Sequence, residues 1–422
     1  MSILNYTGGN LEADIQLPSS KSLSNRALLI QALCDQSFPI HSLSTAHDTK
    51  LLQTHLQLIK VADTLCLLDC EDAGTPFRFL LAYACIQEGK SLFLTGTSRL
   101  LERPIQALLD ALSVMGADIA WQQFEGRNGY LIQGKKLIGG ELRISGGISS
   151  QFISALCLVA PCLENGLRIT IENQILSESY ISMTLSMMKY FGITSRFEDQ
   201  QIIIDAQSYH AKEIRIESDW SSATFFYAMS MLMPSVKIKL KGLQKNSLQG
   251  DARIVSLAED FGIETIFDSD ACLLQRIKEI DPHHNQPYDL RDVPDLAVPF
   301  LVACAMQYPK VTLYGLDHLE WKESKRLSAL QHELAKAGFH ITYHDNTLSF
   351  LPSVPANINT PILIETYNDH RILMAMSMLC LHGYTLNVDD IHCVKKSFPN
   401  FFTEIKKAGF QLSESLPESL SM

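Results

Sequence analysis

Several stretches of the chain set polar or charged residues directly ahead of long apolar runs. LPSSKSLSNR puts Ser20, Lys21 and Ser22 before such a run, with Arg26 one turn on. DAGTPFR puts Gly74 and Thr75 before another, with Arg78 one turn in. GGISSQF supplies Ser149, Ser150 and Gln151; VPDLAVP supplies Asp295; TYNDHR supplies Asp369, His370 and Arg371. The start of an α-helix carries unpaired N–H groups and a partial positive charge, so it binds anions. Hydroxyls and guanidinium groups add charge-assisted bonds. Plain N-capping by Ser, Thr and Asp accounts for one or two such starts. It does not account for Lys21, Arg26 and Arg371 all falling at the same kind of place. The chemistry these residues suit is the binding of small anions.

The rest of the chain limits what the anions can be. Its 422 residues carry a formal charge of −11, with 46% hydrophobic and 19% charged residues. That is ordinary globular composition, and the length suggests two to four domains or a repetitive architecture. A net negative chain argues against a general nucleic-acid binder, yet a few basic residues gathered in one cleft still hold a small anionic ligand. The longest apolar stretches, 153–163 and 296–306, fall short of the ~18–20 residues a membrane span needs. The first residues show no basic patch followed by a long apolar run, so a soluble, cytoplasmic protein without a signal peptide is expected. The ten cysteines, at 34, 66, 70, 85, 157, 162, 272, 304, 380 and 393, form no CxxC pair and sit mostly in apolar runs. They read as reduced, buried thiols. His340 and His344, in a strand-like run, and His283-His284, in a polar loop, read as surface histidines and not as metal ligands.

A repeat underlies the pattern. Five segments share one shape, an amphipathic helix ending in a glycine with a strand following at once. The glycines are Gly116, Gly192, Gly262, Gly338 and Gly409, at intervals of 76, 70, 76 and 71 residues. Glycine suits the left-handed conformation that ends a helix. The period is too long for a small solenoid and fits a unit of several strands and two helices. Dividing the chain by this period leaves room for a sixth unit near the N-terminus, for which LLQTHLQLIKVADTLCLLD, lacking the glycine, is the candidate. Each unit carries a second helix apolar almost all round and therefore buried: SNRALLIQALC, TPFRFLLAYACIQ, SQFISALCLVAPCL, SSATFFYAMSMLM, DLAVPFLVACAMQ and DHRILMAMSMLCL. Two domains of three units each follow, the alternative being generic helix–strand alternation in an α/β protein.

The chain resembles the 5-enolpyruvylshikimate-3-phosphate synthase family (3-phosphoshikimate 1-carboxyvinyltransferases) over essentially its whole length. Its motifs occur in family order: LPSSKSLSNRA at 17–27, DAGTPFR at 72–78, ERPIQALLDAL at 102–112, SSQF at 149–152, SESY at 177–180, QGD at 249–251, PDLA at 294–297, KESKRL at 322–327, YNDHR at 367–371 and KKSFPNFF at 395–402. The resemblance implies an α/β (α+β) fold, a two-domain inside-out α/β barrel of three βαβαββ units per domain. One domain would span 1–14 plus 234–422 and the other 15–233, with substrates in a cleft that closes on the first of them. It implies transfer of the enolpyruvyl group of phosphoenolpyruvate to the 5-hydroxyl of shikimate 3-phosphate, with release of phosphate, in the shikimate pathway to chorismate and aromatic amino acids. It also implies a monomer with no metal, cofactor, membrane or nucleic-acid partner.

By position, Glu323 resembles the family's proton donor to the methylene carbon, although by itself it would pass for a solvated glutamate in WKESKR. Asp295 resembles the base that meets the substrate hydroxyls, and Lys21 touches both substrates and shares the proton traffic. Ser22, Arg26, Ser149, Ser150, Gln151, Ser177, Tyr180 and Lys322 resemble the shikimate 3-phosphate contacts, together with Lys21 and Asp295. Gly74, Arg103, Arg326, Arg371 and Lys396 resemble the phosphoenolpyruvate contacts, together with Lys21 and Gln151. The seven cations of this set, Lys21, Arg26, Arg103, Lys322, Arg326, Arg371 and Lys396, match two phosphates and two carboxylates carrying about −6 in total.

The departures are specific. LPSSKS has Ser19 where the family has glycine, and DAGTPFR brings Asp72, Pro76 and Phe77 into a loop that usually reads Asn-Ala-Gly-Thr-Ala-Met-Arg. His318 stands where many members have asparagine, and KESKR adds Lys325. Among rivals, the UDP-N-acetylglucosamine enolpyruvyl transferases place a cysteine five residues before their loop Arg-Pro, where this chain has Ser98. RNA 3′-terminal phosphate cyclases share the unit but want a basic surface and a nucleophilic histidine. A relative kept only for binding or scaffolding would be marked by loss of Lys21, Asp295, Glu323 or Arg371, and all are present.

Overall fold

A computed structural model of the chain describes all residues except 148, 353, 355 and 415–422. The chain opens with β1 (Ser2–Tyr6), β2 (Leu11–Gln16), α1 (Lys21–Leu33), β3 (Ile40–His41), α2 (His47–Val61), β4 (Cys66–Asp69), α3 (Gly74–Cys85) and β5 (Ser91–Thr95). Then come α4 (Ser98–Glu102), α5 (Gln106–Val114), β6 (Asp118–Phe124), β7 (Arg127–Gln133), β8 (Gly140–Ser145), α6 (Ser150–Val159), β9 (Leu167–Glu172), α7 (Glu178–Tyr190), β10 (Ser195–Glu198), β11 (Gln201–Ile204) and β12 (Ile214–Arg215). The second half runs through α8 (Trp220–Leu232), β13 (Val236–Lys241), α9 (Ile254–Asp260), β14 (Ile263–Phe267), β15 (Ala271–Arg276), β16 (Pro287–Asp289), α10 (Pro294–Gln307) and β17 (Thr312–Tyr314). It ends with α11 (Arg326–Lys336), β18 (Ile341–His344), β19 (Thr347–Phe350), β20 (Ile362–Ile364), α12 (His370–Met376), β21 (Leu386–Val388), α13 (Phe401–Lys407) and β22 (Phe410–Glu414).

These elements form two compact units, one from residues 1–18 and from Glu217 onward, the other from Ser19–Ile216. Each has its own apolar core. The first unit holds the sheets β20-β21-β1-β22, β14-β15-β13-β2 and β16-β17-β19-β18; the second holds β4-β5-β7-β6, β10-β11-β9-β8 and β12-β3. One pattern repeats. In β8-α6-β9-α7-β10-β11, the first two strands pair in parallel across the buried helix, and the last two return as an antiparallel hairpin. The helix before each hairpin ends on an expected glycine, with φ of 91° at Gly116, 90° at Gly192, 77° at Gly262 and 86° at Gly338, while Gly409, φ 102°, leads α13 into the single strand β22. A left-handed residue turns the chain sharply from helix into strand, and glycine does so without Cβ strain. The sixth unit explains its missing glycine. α2 ends on Ala62 in extended backbone, and its sheet stops at two parallel strands with no hairpin to enter.

The two passages of the chain between units exchange strand partners. β2 precedes α1, yet it pairs in parallel with β13, which follows α8. β12 precedes α8, yet it pairs in parallel with β3, which follows α1. The divisions therefore fall between a strand and its buried helix, after Pro18 and after Ile216. The resemblance implies divisions after residues 14 and 233, which would put α8 in the other unit. Every residue of α8 is buried, and its neighbours are α10, α9 and β13–β15 of the first unit. A helix with no polar side goes wherever it is covered on all sides.

β1 lies between β21 and β22, pairing antiparallel with both. Its Leu4 is fully buried. Leu4→Ala is expected to lower unfolding stability by about 2–4 kcal/mol. Urea titration reads this, and a loss below about 1 kcal/mol would show that the strand adds little to its sheet.

Candidate active site

In the second unit α1, α3, α6 and α7 pack on one another. The Ser20 hydroxyl caps α1, accepting from Leu23 N–H at 3.3 Å. Lys21 is the first helical residue, and its Nζ donates to Asp48 Oδ2 at 3.0 Å, with the two side chains 13% and 3% exposed. Arg26, a turn further on, is buried. Its guanidinium donates to Thr184 Oγ1 at 2.8 Å, Ser154 Oγ at 3.3 Å, and the carbonyls of Ser22 at 3.0 Å and Tyr180 at 3.1 Å. The rings of Phe79 and Tyr180 flank it. Burial lowers its pKa to about 10, slightly offset by Tyr180, so it stays charged at neutral pH.

The start of α3 is built around Gly74. A Cβ there would meet Arg103 Nη1 at 2.6 Å and Arg78 Nη1 at 2.8 Å. Arg78 Nη1 donates to the Gly74 carbonyl at 2.9 Å, and its guanidinium lies over Phe152 of α6. Ser149 caps α6, accepting from Gln151 N–H at 3.3 Å; Gln151 Nε2 donates to Thr75 Oγ1 at 3.1 Å, joining the starts of α6 and α3. Ser177 precedes α7 in a left-handed conformation, φ 59°, and is buried. Ser22, Ser149, Ser150, Gln151, Ser177, Tyr180, Gly74, Arg103, Lys21 and Arg26 thus sit at or beside the starts of these packed helices. Asp72 accepts a hydrogen bond from the Thr97 hydroxyl, and Phe77 is buried against Tyr130.

The first unit holds a charge network. Arg326, the first residue of α11, has 1% of its side chain exposed. Its Nε donates to Asp369 Oδ2 at 2.8 Å, Nη1 to Asp295 Oδ1 at 3.2 Å, and Nη2 to Glu323 Oε2 at 2.6 Å. Asp369 also caps α12, accepting from Arg371 N–H at 3.0 Å, and takes the Ser324 hydroxyl at 2.9 Å. Arg371 Nη2 reaches Asp295 Oδ2 at 2.8 Å. Burial alone would lower the Arg326 pKa, but Asp369, Glu323 and Asp295 together raise it above its ordinary value. Burial alone would raise that of Asp295, but Arg371, Arg326 and Lys322 hold it well below the usual carboxylate range. His318 is buried, which with Lys322 pushes its pKa down to about 3, so its imidazole is neutral. Lys396 ends the 3₁₀ turn His392–Lys396, which packs against α12.

The loop entering α12 is strained. Tyr367 and Asn368 have φ of 54° and 52°. Two adjacent left-handed residues that are not glycine persist only when their surroundings fix them. The fully buried Glu333 of α11 does so, accepting from Tyr367 Oη at 2.9 Å and from Glu365 N–H at 3.2 Å. One helix therefore grips both ends of this loop, through Arg326 and through Glu333. Glu323 is no solvated glutamate, being 17% exposed and tied to Arg326.

The sequence pattern did not identify Asp48, Thr184, Ser154 or Glu333. The QGD motif flagged Asp251 without a role, and Asp369 stood out only as a helix start.

These features define a two-unit α/β protein with cationic side chains gathered at its helix starts. The family model described as EPSP synthase (3-phosphoshikimate 1-carboxyvinyltransferase) matches residues 59–405, and the chain belongs to that family. It is 36% identical over 407 residues to the 3-phosphoshikimate 1-carboxyvinyltransferase of Bacteroides fragilis (strain YCH46), covering 95% of this chain and 96% of that one. It is 32% identical over 425 residues to that of Haemophilus ducreyi, covering 94% and 96%. Among solved structures it is similar to EPSP synthase from Acinetobacter baumannii, with a TM-score of 0.75 at 19% identity over 98% of this chain and 100% of that one. The enolpyruvyl transferase NikO from Streptomyces tendae gives a TM-score of 0.73 at 11% identity over 99% of each chain. At such identities the two structures speak for the fold, a two-domain α/β architecture.

Replacing Arg326 by alanine would leave Asp369 buried without its cation. Breaking a buried ion pair from one side costs about 3–5 kcal/mol. Arg326→Ala is expected to lose that much stability in urea. Arg326→Lys, which keeps charge but not the planar fork, should lose less. Equal stability of Arg326→Ala and the parent would show the network to be incidental.

Proposed function

We propose that this chain transfers the enolpyruvyl group of phosphoenolpyruvate to the 5-hydroxyl of shikimate 3-phosphate and releases phosphate, within the shikimate pathway. The observation that carries this reading is the Arg326 network. In a chain of this family it gathers Asp295, Glu323 and Arg371 at the starts of three helices. Phosphoenolpyruvate and shikimate 3-phosphate bring phosphates and carboxylates, which guanidinium forks bind in bidentate fashion. Lys21, Gly74, Arg103, Gln151, Arg326, Arg371 and Lys396 take phosphoenolpyruvate. Lys21, Ser22, Arg26, Ser149, Ser150, Gln151, Ser177, Tyr180, Asp295 and Lys322 take shikimate 3-phosphate.

The reaction is addition followed by elimination. A proton goes to the methylene carbon, the 5-hydroxyl oxygen attacks C2 as its own proton leaves, and a methyl proton departs with phosphate. Asp295, held ionised, accepts a hydrogen bond from the attacking hydroxyl. While Arg371 and Arg326 neutralise it, Asp295 is a weak base. An incoming anion that engages those guanidiniums weakens their hold and raises its basicity. The same exchange frees Glu323 from Arg326, letting its carboxyl hold the proton it delivers to carbon. Lys21, oriented by Asp48, serves both substrates.

No helix among the described residues is long and apolar enough to cross a membrane, and the ten cysteines are free thiols. Reduced thiols suit the cytoplasm, where we place the protein.

Phosphate release from phosphoenolpyruvate is expected with shikimate 3-phosphate and not with UDP-N-acetylglucosamine, assayed in parallel; turnover with the nucleotide sugar instead would overturn the reading. Gly74→Ala forces the Arg103 and Arg78 side chains aside. It should raise KM for phosphoenolpyruvate by roughly tenfold or more, the effect of an ångström-scale misplacement, with KM for shikimate 3-phosphate little changed. An unchanged phosphoenolpyruvate KM would remove Gly74 from that subsite.

A further inference from the structure

Asp251 belongs to the 3₁₀ turn Gly250–Arg253, which packs against α8, and α8 in turn packs against α10. The residue is 3% exposed. Oδ2 accepts a hydrogen bond from the Ser221 hydroxyl. Oδ1 is buried with no hydrogen-bond partner among the described residues. The charged groups around it are unevenly split. Asp295 of α10 and Asp219, the cap of α8, repel a charge on it, and Arg371 of α12 attracts one. Arg371 is already paired with Asp295 at 2.8 Å. On its own turn, Arg253 directs Nη1 to the Asp289 carbonyl, at 2.8 Å. Of the acids at the end of α9, Glu259 is exposed and Asp260 accepts from Tyr288 Oη at 2.9 Å.

A carboxylate buried with one neutral hydroxyl as partner, between two other carboxylates, is better off protonated. We infer that Asp251 is a positioning residue that carries a proton on the acid side of neutrality and so leaves the charge of Arg371 to Asp295 and to the substrate anion. The inference rests on the functional reading above, which gives Asp295 and Arg371 their roles. Burial, and after it Asp295, lifts the pKa of Asp251 to about 7, with Ser221 and Arg371 opposing. The proton is therefore present below that pH and lost just above it. Once it is lost, a new negative charge lies within reach of Arg371. The anionic substrate should then bind less well.

The sign for stability follows from the same shift. A carboxyl whose folded pKa is raised takes up protons on folding between its unfolded value and about 7. Its ionisation erodes stability as pH rises through that window, and the loss is complete above it. Asp251→Asn keeps the shape, the acceptor for Ser221 and the neutral charge, but cannot ionise.

The experiment compares the parent and Asp251→Asn between pH 5 and 8.5 by thermal melting and by steady-state kinetics with phosphoenolpyruvate and shikimate 3-phosphate. The melting temperature of the variant should gain about 2–4 °C on the parent across that range. KM for phosphoenolpyruvate should rise from pH 6 to pH 8.5 by roughly three- to tenfold more in the parent than in the variant. A melting difference that stays constant with pH would show that Asp251 does not titrate there and would overturn the inference. A growing melting difference with identical KM profiles would show titration without coupling to the site, and would overturn the positioning role. Failure of the parent itself to turn over these substrates would instead overturn the functional reading, and the coupling with it.

Discussion

A guanidinium with 1% of its surface in contact with solvent must find its counter-charge inside the protein, and Arg326 finds it in Asp369, Asp295 and Glu323. Desolvating so many charges is tolerable only if each is paired and hydrogen-bonded. The geometry meets that condition by drawing on three helix starts at once. Asp295 comes from the first turn of α10, Arg326 opens α11, and Asp369 caps α12. The pairing therefore fixes where these three helices begin relative to one another, and Arg371 and Glu323 are placed as a consequence. Asp295, Glu323 and Arg371, on which the proposed chemistry depends, are all held by this one arrangement.

The buried Arg26 of the second unit is held differently. Arg26 is met by two hydroxyls and two carbonyls, with aromatic rings alongside. Neutral acceptors satisfy the hydrogen bonds but leave the positive charge uncancelled, and burial accordingly pulls the pKa down to about 10. An uncancelled cation beside the start of a helix is a standing attraction for an anion. In the first unit the carboxylates are already in place, and an anion has to compete with them. Arg26 and Arg326 thus sit in contrasting surroundings, the one held by dipoles and the other by charges.

Much of this was legible in the chain. The helix starts around Lys21, Gly74, Ser149, Asp295 and Asp369 are visible because polar residues precede runs too apolar to be exposed. The hairpin entries are visible because each demands a glycine. Asp48 was not, since nothing in the local sequence HDTK says that its carboxyl will meet an ammonium on another helix. Glu333 looks like any glutamate on an amphipathic helix until the left-handed pair Tyr367-Asn368 is seen to need an anchor. The passages between units were displaced because strand pairing is non-local. β2 carries an alternating pattern that tells which face is buried but not that its neighbour is β13. The boundary at α8 was missed for a related reason, because a helix buried on every side gives no hint of which unit surrounds it.

The pairing of β1 also orders events as the polypeptide is made. β1 leaves the ribosome ahead of β2–β20, yet both its neighbours, β21 and β22, emerge after them. β2 likewise waits for β13. Residues 19–216, by contrast, contain every strand partner their own sheets require. Translation proceeds at about 5–20 residues per second, and domains fold largely as units. The unit begun second can therefore be finished first, while the leading strands remain unpaired edges that the cell's chaperones have reason to cover.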